Sequence, residues 1–199
     1  DRTVVTPRRG NYFCKQVVVP GVDTKSGEHV ATLCVKNGAR PGTTIAVDGI
    51  GVGASAVDHI EKLVGVRVLP IIGSYGSEAT DKSGMLQFKN LRAELHWKFR
   101  EALDPDGGEE LAIEDNSELL SDLTSIRFKV TTQGVQVESK EEIFERIGRS
   151  PDRGDSVILA HANPSMPGEG IFQFFKDAYA TQQEELARKE AERKKQYAG

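Results

Sequence analysis

The sequence predicts an α/β fold, in which strands and helices alternate through the middle of the chain. Two short β-rich runs, 43–47 and 66–72, enclose a segment whose apolar residues have helical spacing. The apolar residues of the second run form a short uninterrupted stretch, which is typical of a buried parallel strand. A longer stretch, 86–103, has apolar residues every three or four positions, which predicts an amphipathic helix that covers one face of the sheet.

The N-terminal part predicts a hairpin followed by a helix. Segments 3–8 and 12–19 are rich in Val, Tyr and Phe and are joined around Gly10, a pattern typical of two paired strands. Over 28–37 the apolar residues again have helical spacing, and Gly38 follows as a stop signal.

The C-terminal half predicts three further elements. Apolar residues over 119–126 indicate a helix, and 127–130 with 135–138 predict a second hairpin. After Pro167 the chain becomes rich in Gln, Glu, Lys and Arg, which predicts a charged tail helix. The expected division is a domain over 1–162 and a tail over 163–199.

Composition excludes few functions. With 199 residues and 38% hydrophobic content, the chain can form one sizeable core. Apolar runs stay well below the roughly 20 residues that span a bilayer, and no signal peptide is evident, so no membrane partner is expected. Cys14 and Cys34 lack metal-ligand spacing, which favours free buried thiols.

The charge distribution is uneven. A net charge of -4 gives no support to nucleic-acid binding. However, 101–122 holds nine acidic residues and no Lys or Arg, whereas 82–100 holds five basic residues against one acidic residue. A locally basic face is therefore compatible with a globally acidic protein.

Asp48 is the first candidate for chemistry. It follows a predicted buried strand and precedes the glycine-rich run 49–53, which is where open α/β sheets place catalytic groups. The run lacks the spacing and the lysine of a phosphate-binding loop. A tight strand-to-helix turn with a structural acidic cap is the alternative interpretation.

Asp152 and Asp155 form the second candidate. They lie three residues apart at a predicted helix start, so their carboxylates share one face. One interpretation is a pair that stabilises the helix dipole. The other is that they converge with Asp48 in an all-oxygen site for Mg²⁺ or Mn²⁺.

The order of short motifs resembles the nuclease domain of the large terminase subunit of tailed phages and prophages. After a Thr-Val-Val strand and an Arg-Arg-Gly turn, the chain shows VDGIGVG at 47–53, FKNLRAE at 88–94, ESK at 138–140 and RSPDRGD at 149–155. The resemblance covers most of the chain, to about Ala162.

The resemblance implies a ribonuclease H-like fold, with a central mixed β-sheet flanked by helices, an extra β-hairpin and a charged C-terminal helix. It also implies a two-metal DNA endonuclease that uses Asp48 and Asp155, with Asp152 beside them, and Mg²⁺ or Mn²⁺. The family's first catalytic aspartate lies before the segment matching Asp1, so residues 1–199 are expected to fold but to cut DNA poorly or not at all.

The implied partners are double-stranded DNA, a terminase ATPase domain in the same full-length chain, the portal protein and the small terminase subunit, in the host cytoplasm. Lys140 is expected near the scissile phosphate or as a solvated surface lysine. Further candidates for DNA backbone contacts are Arg146, Arg149, Arg153, Lys89 and Arg92. Their alternative role is surface pairing with nearby Glu. The four histidines show no ligand spacing and are expected to be structural.

Two other functions stay open at this stage. A junction resolvase or transposase-like nuclease would use the same fold and paired acids. A non-catalytic docking module of the packaging motor would explain a missing first ligand.

Overall fold

The computed structural model describes residues 2–63 and 65–162, and the predicted tail helix lies outside these ranges. The strands are β1 Arg2–Val5, β2 Arg8–Arg9, β3 Tyr12–Phe13, β4 Val17–Pro20, β5 Thr44–Asp48, β6 Arg67–Ile71, β7 Phe128–Thr131 and β8 Gly134–Val137. The helices are α1 Gly27–Lys36, α2 Val52–Glu61, α3 Leu91–Ala102, α4 Ser117–Ser125, α5 Lys140–Ile147 and α6 Asp152–His161. The predicted α/β class is confirmed.

The strands of the described ranges pair two by two. The order β5–α2–β6 forms a parallel pair in which Asp48 lies opposite Ile71, and β7 and β8 form the predicted second hairpin. The predicted first hairpin is divided into β1 with β4 and β2 with β3, all antiparallel. Pro7 stands at the break, where its carbonyl accepts from the Cys14 N–H at 2.8 Å and its own nitrogen has no hydrogen to donate.

Helices α1 and α2 pack beside the parallel strands and form one core. Ala56 and Ile60 are fully buried there, together with Ala31, Cys34, Val57 and Val68. Burying a side chain such as Ile60 stabilises the fold by about 1.5–3 kcal/mol. Gly27 is required at the helix contact, because a Cβ there would lie 2.2 Å from the Ser55 carbonyl oxygen.

Helix α3 begins later than the sequence pattern predicts. The predicted start near Leu86 is wrong, because Asn90 caps the helix by accepting from the Ala93 N–H at 3.0 Å. Phe88 instead bridges to Val135 in β8, and it is buried against that strand. Its apolar side chain therefore belongs to a sheet-like contact and not to the helical face.

Helices α5 and α6 have different starts. Ser139 and Glu142 form a capping box, which fixes Lys140 as the first residue of α5. Helix α6 has no side-chain cap of its own. Its first N–H groups, those of Arg153 and Gly154, each donate at 3.1 Å to the buried carboxylate of Asp122 from α4.

Two expectations from composition concern cysteines and membranes. Both cysteines are free as predicted, although Cys14 is partly exposed. Burial raises the pKa of the Cys34 thiol to about 11. None of the helices in residues 2–63 and 65–162 has the length and apolar character that crossing a bilayer requires.

Candidate active site

Asp48 ends β5 and begins a tight turn into α2. The Gly49 N–H continues the β5–β6 pairing by donating to the Ile71 carbonyl at 2.7 Å, and Gly51 makes the turn at φ 64°. A Cβ on Gly53 would lie 1.7 Å from the Asp48 carbonyl oxygen. Backbone geometry therefore explains these glycines, as the alternative of a strand-to-helix turn requires. The Asp48 side chain is half-exposed at the sheet edge.

Asp155 lies in the first turn of α6 and is almost enclosed. Its Oδ1 accepts from Arg92 Nη1 at 3.2 Å, and His96 Nε2 lies 3.6 Å from the same oxygen. Arg92 and His96 are one turn apart on α3, so they present one face to the carboxylate. Helix α3 therefore holds Asp155 by a single oxygen.

The Lys140 ammonium lies between the two carboxylates. Its Nζ is 3.2 Å from Asp48 Oδ2 and 3.3 Å from Asp155 Oδ2. The two oxygens are thus no farther apart than the sum of these distances, which is inside the roughly 8 Å that two bridged ions allow. The chain brings Asp48 and Asp155 together as the sequence predicted, and their role as metal ligands stays a prediction.

Charge explains the ionisation of these groups. Burial alone would raise the Asp155 pKa, but the Arg92 and Lys140 charges outweigh it and hold that pKa below its usual value. Burial would lower the Lys140 pKa, but Asp155 and Asp48 raise it above its usual value. Burial, with Arg92 beside it, lowers the pKa of His96 to about 3, so His96 is neutral near pH 7.

The donors present suit a hard cation. Asp155 Oδ2 is buried, and the ion pair with Lys140 Nζ at 3.3 Å is its contact among the residues that the structure describes. Carboxylate oxygens are the ligands that Mg²⁺ and Mn²⁺ prefer. Within residues 2–63 and 65–162, no three His, Cys, Asp or Glu side chains cluster as metal ligands. Asp48 and Asp155 therefore provide two carboxylates of a candidate metal site and not a complete set of ligands.

Asp152 faces a different partner. Its Oδ2 accepts from the Arg2 backbone N–H at 3.2 Å and from Arg2 Nε at 3.3 Å. These contacts attach β1 to the start of α6. A place for Asp152 at the edge of a metal cluster stays a prediction.

All four of the predicted DNA-binding arginines are engaged in ion pairs, and the Arg92 pair with Asp155 lies at the site itself. Arg146 pairs with Glu138, Arg149 with Asp122, and Arg153 with Glu118 at 3.0 Å. The pairs of Arg146 and Arg153 with Glu fit the alternative of surface pairing, whereas the partner of Arg149 is the buried Asp122. Lys89 differs, because it is exposed and donates to Gln136 Oε1 at 3.3 Å.

Two residues near the site were not singled out in the sequence. His96, expected to be structural, faces Asp155 with a side chain only 6% exposed. Asp122 is fully buried and supports α6 from α4. The spacing of Arg92 and His96, four residues apart on a helix, was the available signal for the first.

Comparisons with known structures give the fold. The chain is similar to the nuclease domain of the large terminase subunit gp2 of bacterial virus Sf6, with a TM-score of 0.62 and 19% identity over 80% of this chain and 81% of that chain. It is equally similar to a lysine-to-alanine mutant of that domain with manganese, with a TM-score of 0.62 and 19% identity over 80% of this chain and 82% of that chain.

A third solved structure, a mutant of the same large terminase subunit from bacteriophage Sf6 with calcium, has a TM-score of 0.63 at 19% identity, over 80% of this chain and 81% of that chain. No protein-family model matches the chain, and no curated protein sequence matches it. The chain has the ribonuclease H-like fold of a terminase nuclease domain, as the motif order predicted.

Proposed function

We propose that this chain is a metal-dependent endodeoxyribonuclease that cuts concatemeric viral DNA during genome packaging. One observation carries the proposal: Asp48 Oδ2 and Asp155 Oδ2, 107 residues apart in sequence, meet around one cationic group. The support from outside the chain is the shared fold with nuclease domains whose structures include manganese and calcium.

Each residue of the site has a separate role in the proposed reaction. Asp48 and Asp155 would hold Mg²⁺ or Mn²⁺ between them, with Asp152 as the remaining candidate ligand. When bound, such cations promote attack by hydroxide on the scissile phosphate and stabilise the leaving oxygen. His96 and Arg92 close the protein side of Asp155 and keep bulk water from it. Lys140 and Lys89 are the basic groups best placed to meet the DNA backbone.

The packaging role extends this activity to partners. We infer double-stranded DNA as the substrate, an ATPase domain in the same full-length subunit as the motor, and the portal protein and the small terminase subunit as further partners in the host cytoplasm. Recognition through phosphates makes cleavage independent of DNA sequence and steeply dependent on salt.

A plasmid cleavage assay tests the activity. We expect Mn²⁺ or Mg²⁺ to support cleavage and Ca²⁺ or a chelator to abolish it. Because the resemblance places a further carboxylate before Asp1, a chain extended upstream is expected to cut faster than residues 1–199 at the same Mn²⁺ concentration. Cleavage in chelator would contradict the proposed mechanism, and equal rates for the two chains would show that the upstream carboxylate is not needed.

Lys140→Ala provides a second test. The ammonium lies where a cation would bridge the two carboxylates, so its removal is expected to raise Mn²⁺ affinity about tenfold by removing a competing charge. Titration calorimetry measures this. Lys129→Ala, which removes an exposed lysine from β7, is the control and is expected to leave Mn²⁺ affinity unchanged. Equal affinities of Lys140→Ala and the wild type would show that Lys140 does not occupy the cation position.

The same assays separate the alternative functions. A junction resolvase would cleave branched DNA in preference to linear DNA. A docking module without catalysis would neither bind Mn²⁺ at Asp48 and Asp155 nor cleave DNA when the upstream segment is present.

A further inference from the structure

Arg92 contacts one oxygen of the Asp155 carboxylate. Its Nη1 donates to Asp155 Oδ1 at 3.2 Å, while Oδ2 of the same carboxylate faces Lys140 Nζ at 3.3 Å. Since one oxygen is held from α3, the carboxylate cannot rotate freely about its Cβ–Cγ bond. With one oxygen held by Arg92, the other oxygen of the carboxylate lies on the side of Lys140.

The ion pair with Asp155 accounts for only one nitrogen of the Arg92 guanidinium. Arg92 Nε and Nη2 are buried and have no hydrogen-bond partner among the residues that the structure describes. Buried donors without an acceptor destabilise a fold. The guanidinium is also permanently charged and lies in direct contact with a carboxylate that is proposed to hold a cation, which it repels. The first effect is unfavourable for stability and the second for metal binding. A role of Arg92 in orienting the Asp155 carboxylate explains both.

We propose that Arg92 is a positioning residue of the nuclease site. It fixes Asp155 Oδ1, so that Oδ2 is free to bind the cation, and its charge limits how tightly that cation is held. His96 packs against the same oxygen as a neutral neighbour and completes the enclosure. The inference rests on the proposed nuclease function and deepens it by naming what orients the second carboxylate.

Substitutions at Arg92 separate charge from geometry. Arg92→Gln removes the charge, so Mn²⁺ measured by calorimetry without DNA is expected to bind about tenfold more tightly. The same variant releases Asp155, so kcat for DNA cleavage is expected to fall about 10- to 100-fold with little change in KM. Arg92→Lys keeps the charge but not the planar group. It is expected to keep wild-type Mn²⁺ affinity and to have a kcat between the wild type and Arg92→Gln.

The matched control is Arg100→Gln. Arg100 lies on the same helix and stacks on Trp97, with its guanidinium carbon 4.6 Å from the ring centroid. This variant loses the same charge and is expected to leave Mn²⁺ affinity and kcat unchanged.

Wild-type Mn²⁺ affinity or wild-type kcat in Arg92→Gln would overturn the inference. If that variant does not fold by circular dichroism, a wild-type kcat in Arg92→Lys would overturn it equally. A wild-type chain extended upstream of Asp1 that binds Mn²⁺ but cuts no DNA with any divalent cation refutes the proposed function instead, and the affinity shift at Arg92 still tests the effect of its charge.

Discussion

Asp48→Asn is expected to reduce metal-dependent DNA cleavage by about 10³-fold. The amide retains the size of the carboxylate but removes one of the two charges that would hold the cation, and a loss of several kcal/mol of transition-state stabilisation corresponds to this factor. Asp48 suits the test better than Asp155, because its side chain is 46% exposed against 14%. Its loss therefore leaves no buried charge without a partner. Initial rates on supercoiled plasmid with Mn²⁺ give the measurement.

The control for Asp48→Asn is Asp58→Asn, the same change at an exposed position of α2. Unfolding by urea is expected to show a change of about 0–1 kcal/mol for either variant, as for an exposed ion pair. A stable Asp48→Asn protein with the wild-type cleavage rate would remove Asp48 from the mechanism.

Asp122→Ala is expected to lower the free energy of unfolding by about 3–5 kcal/mol, because two N–H groups at the start of α6 lose their acceptor, which costs about 1–3 kcal/mol each. The fully buried carboxylate pairs with Arg149 and accepts from the N–H groups of Arg153 and Gly154, which have no other cap. Because Asp155 follows directly in the same turn, the site should loosen with the helix. Chemical denaturation gives the measurement.

Asp115→Ala is the matched control for Asp122→Ala. Asp115 is exposed just before α4, and its loss is expected to change stability by less than about 0.5 kcal/mol. An equally small change in Asp122→Ala would show that α6 does not depend on this long-range cap.

Local signals in the sequence account for much of the site. Asp48 could be predicted because an acidic residue at the end of a buried strand, before glycines, has a defined place in α/β folds. Asp155 could be predicted from its position at a helix start and from the motif order. The start of α5 was also within reach, because Ser139 and Glu142 have capping-box spacing, but that helix was not predicted.

Long-range pairing could not be read from the sequence. Arg149 and Arg153 were expected to contact DNA, yet their partners, Asp122 and Glu118, lie on another helix. Glu118 also pairs with Arg2 at 2.7 Å, and Arg2 and then Arg153 hold the pKa of Glu118 below its usual value. Which acid neutralises which arginine depends on how α4, α6 and β1 pack, and no local pattern encodes that. The start of α3 was misplaced for the same reason, since Phe88 packs on a distant strand.

Asp48 and Asp155 are proposed to hold a divalent cation jointly where the Lys140 ammonium lies. A crystal of the protein with Mn²⁺, measured at the manganese absorption edge, tests this arrangement. We expect an anomalous peak in contact with one oxygen of each carboxylate, with Lys140 displaced from between them. Manganese bound elsewhere, with Lys140 still bridging Asp48 and Asp155 in a protein that cuts DNA, would contradict it.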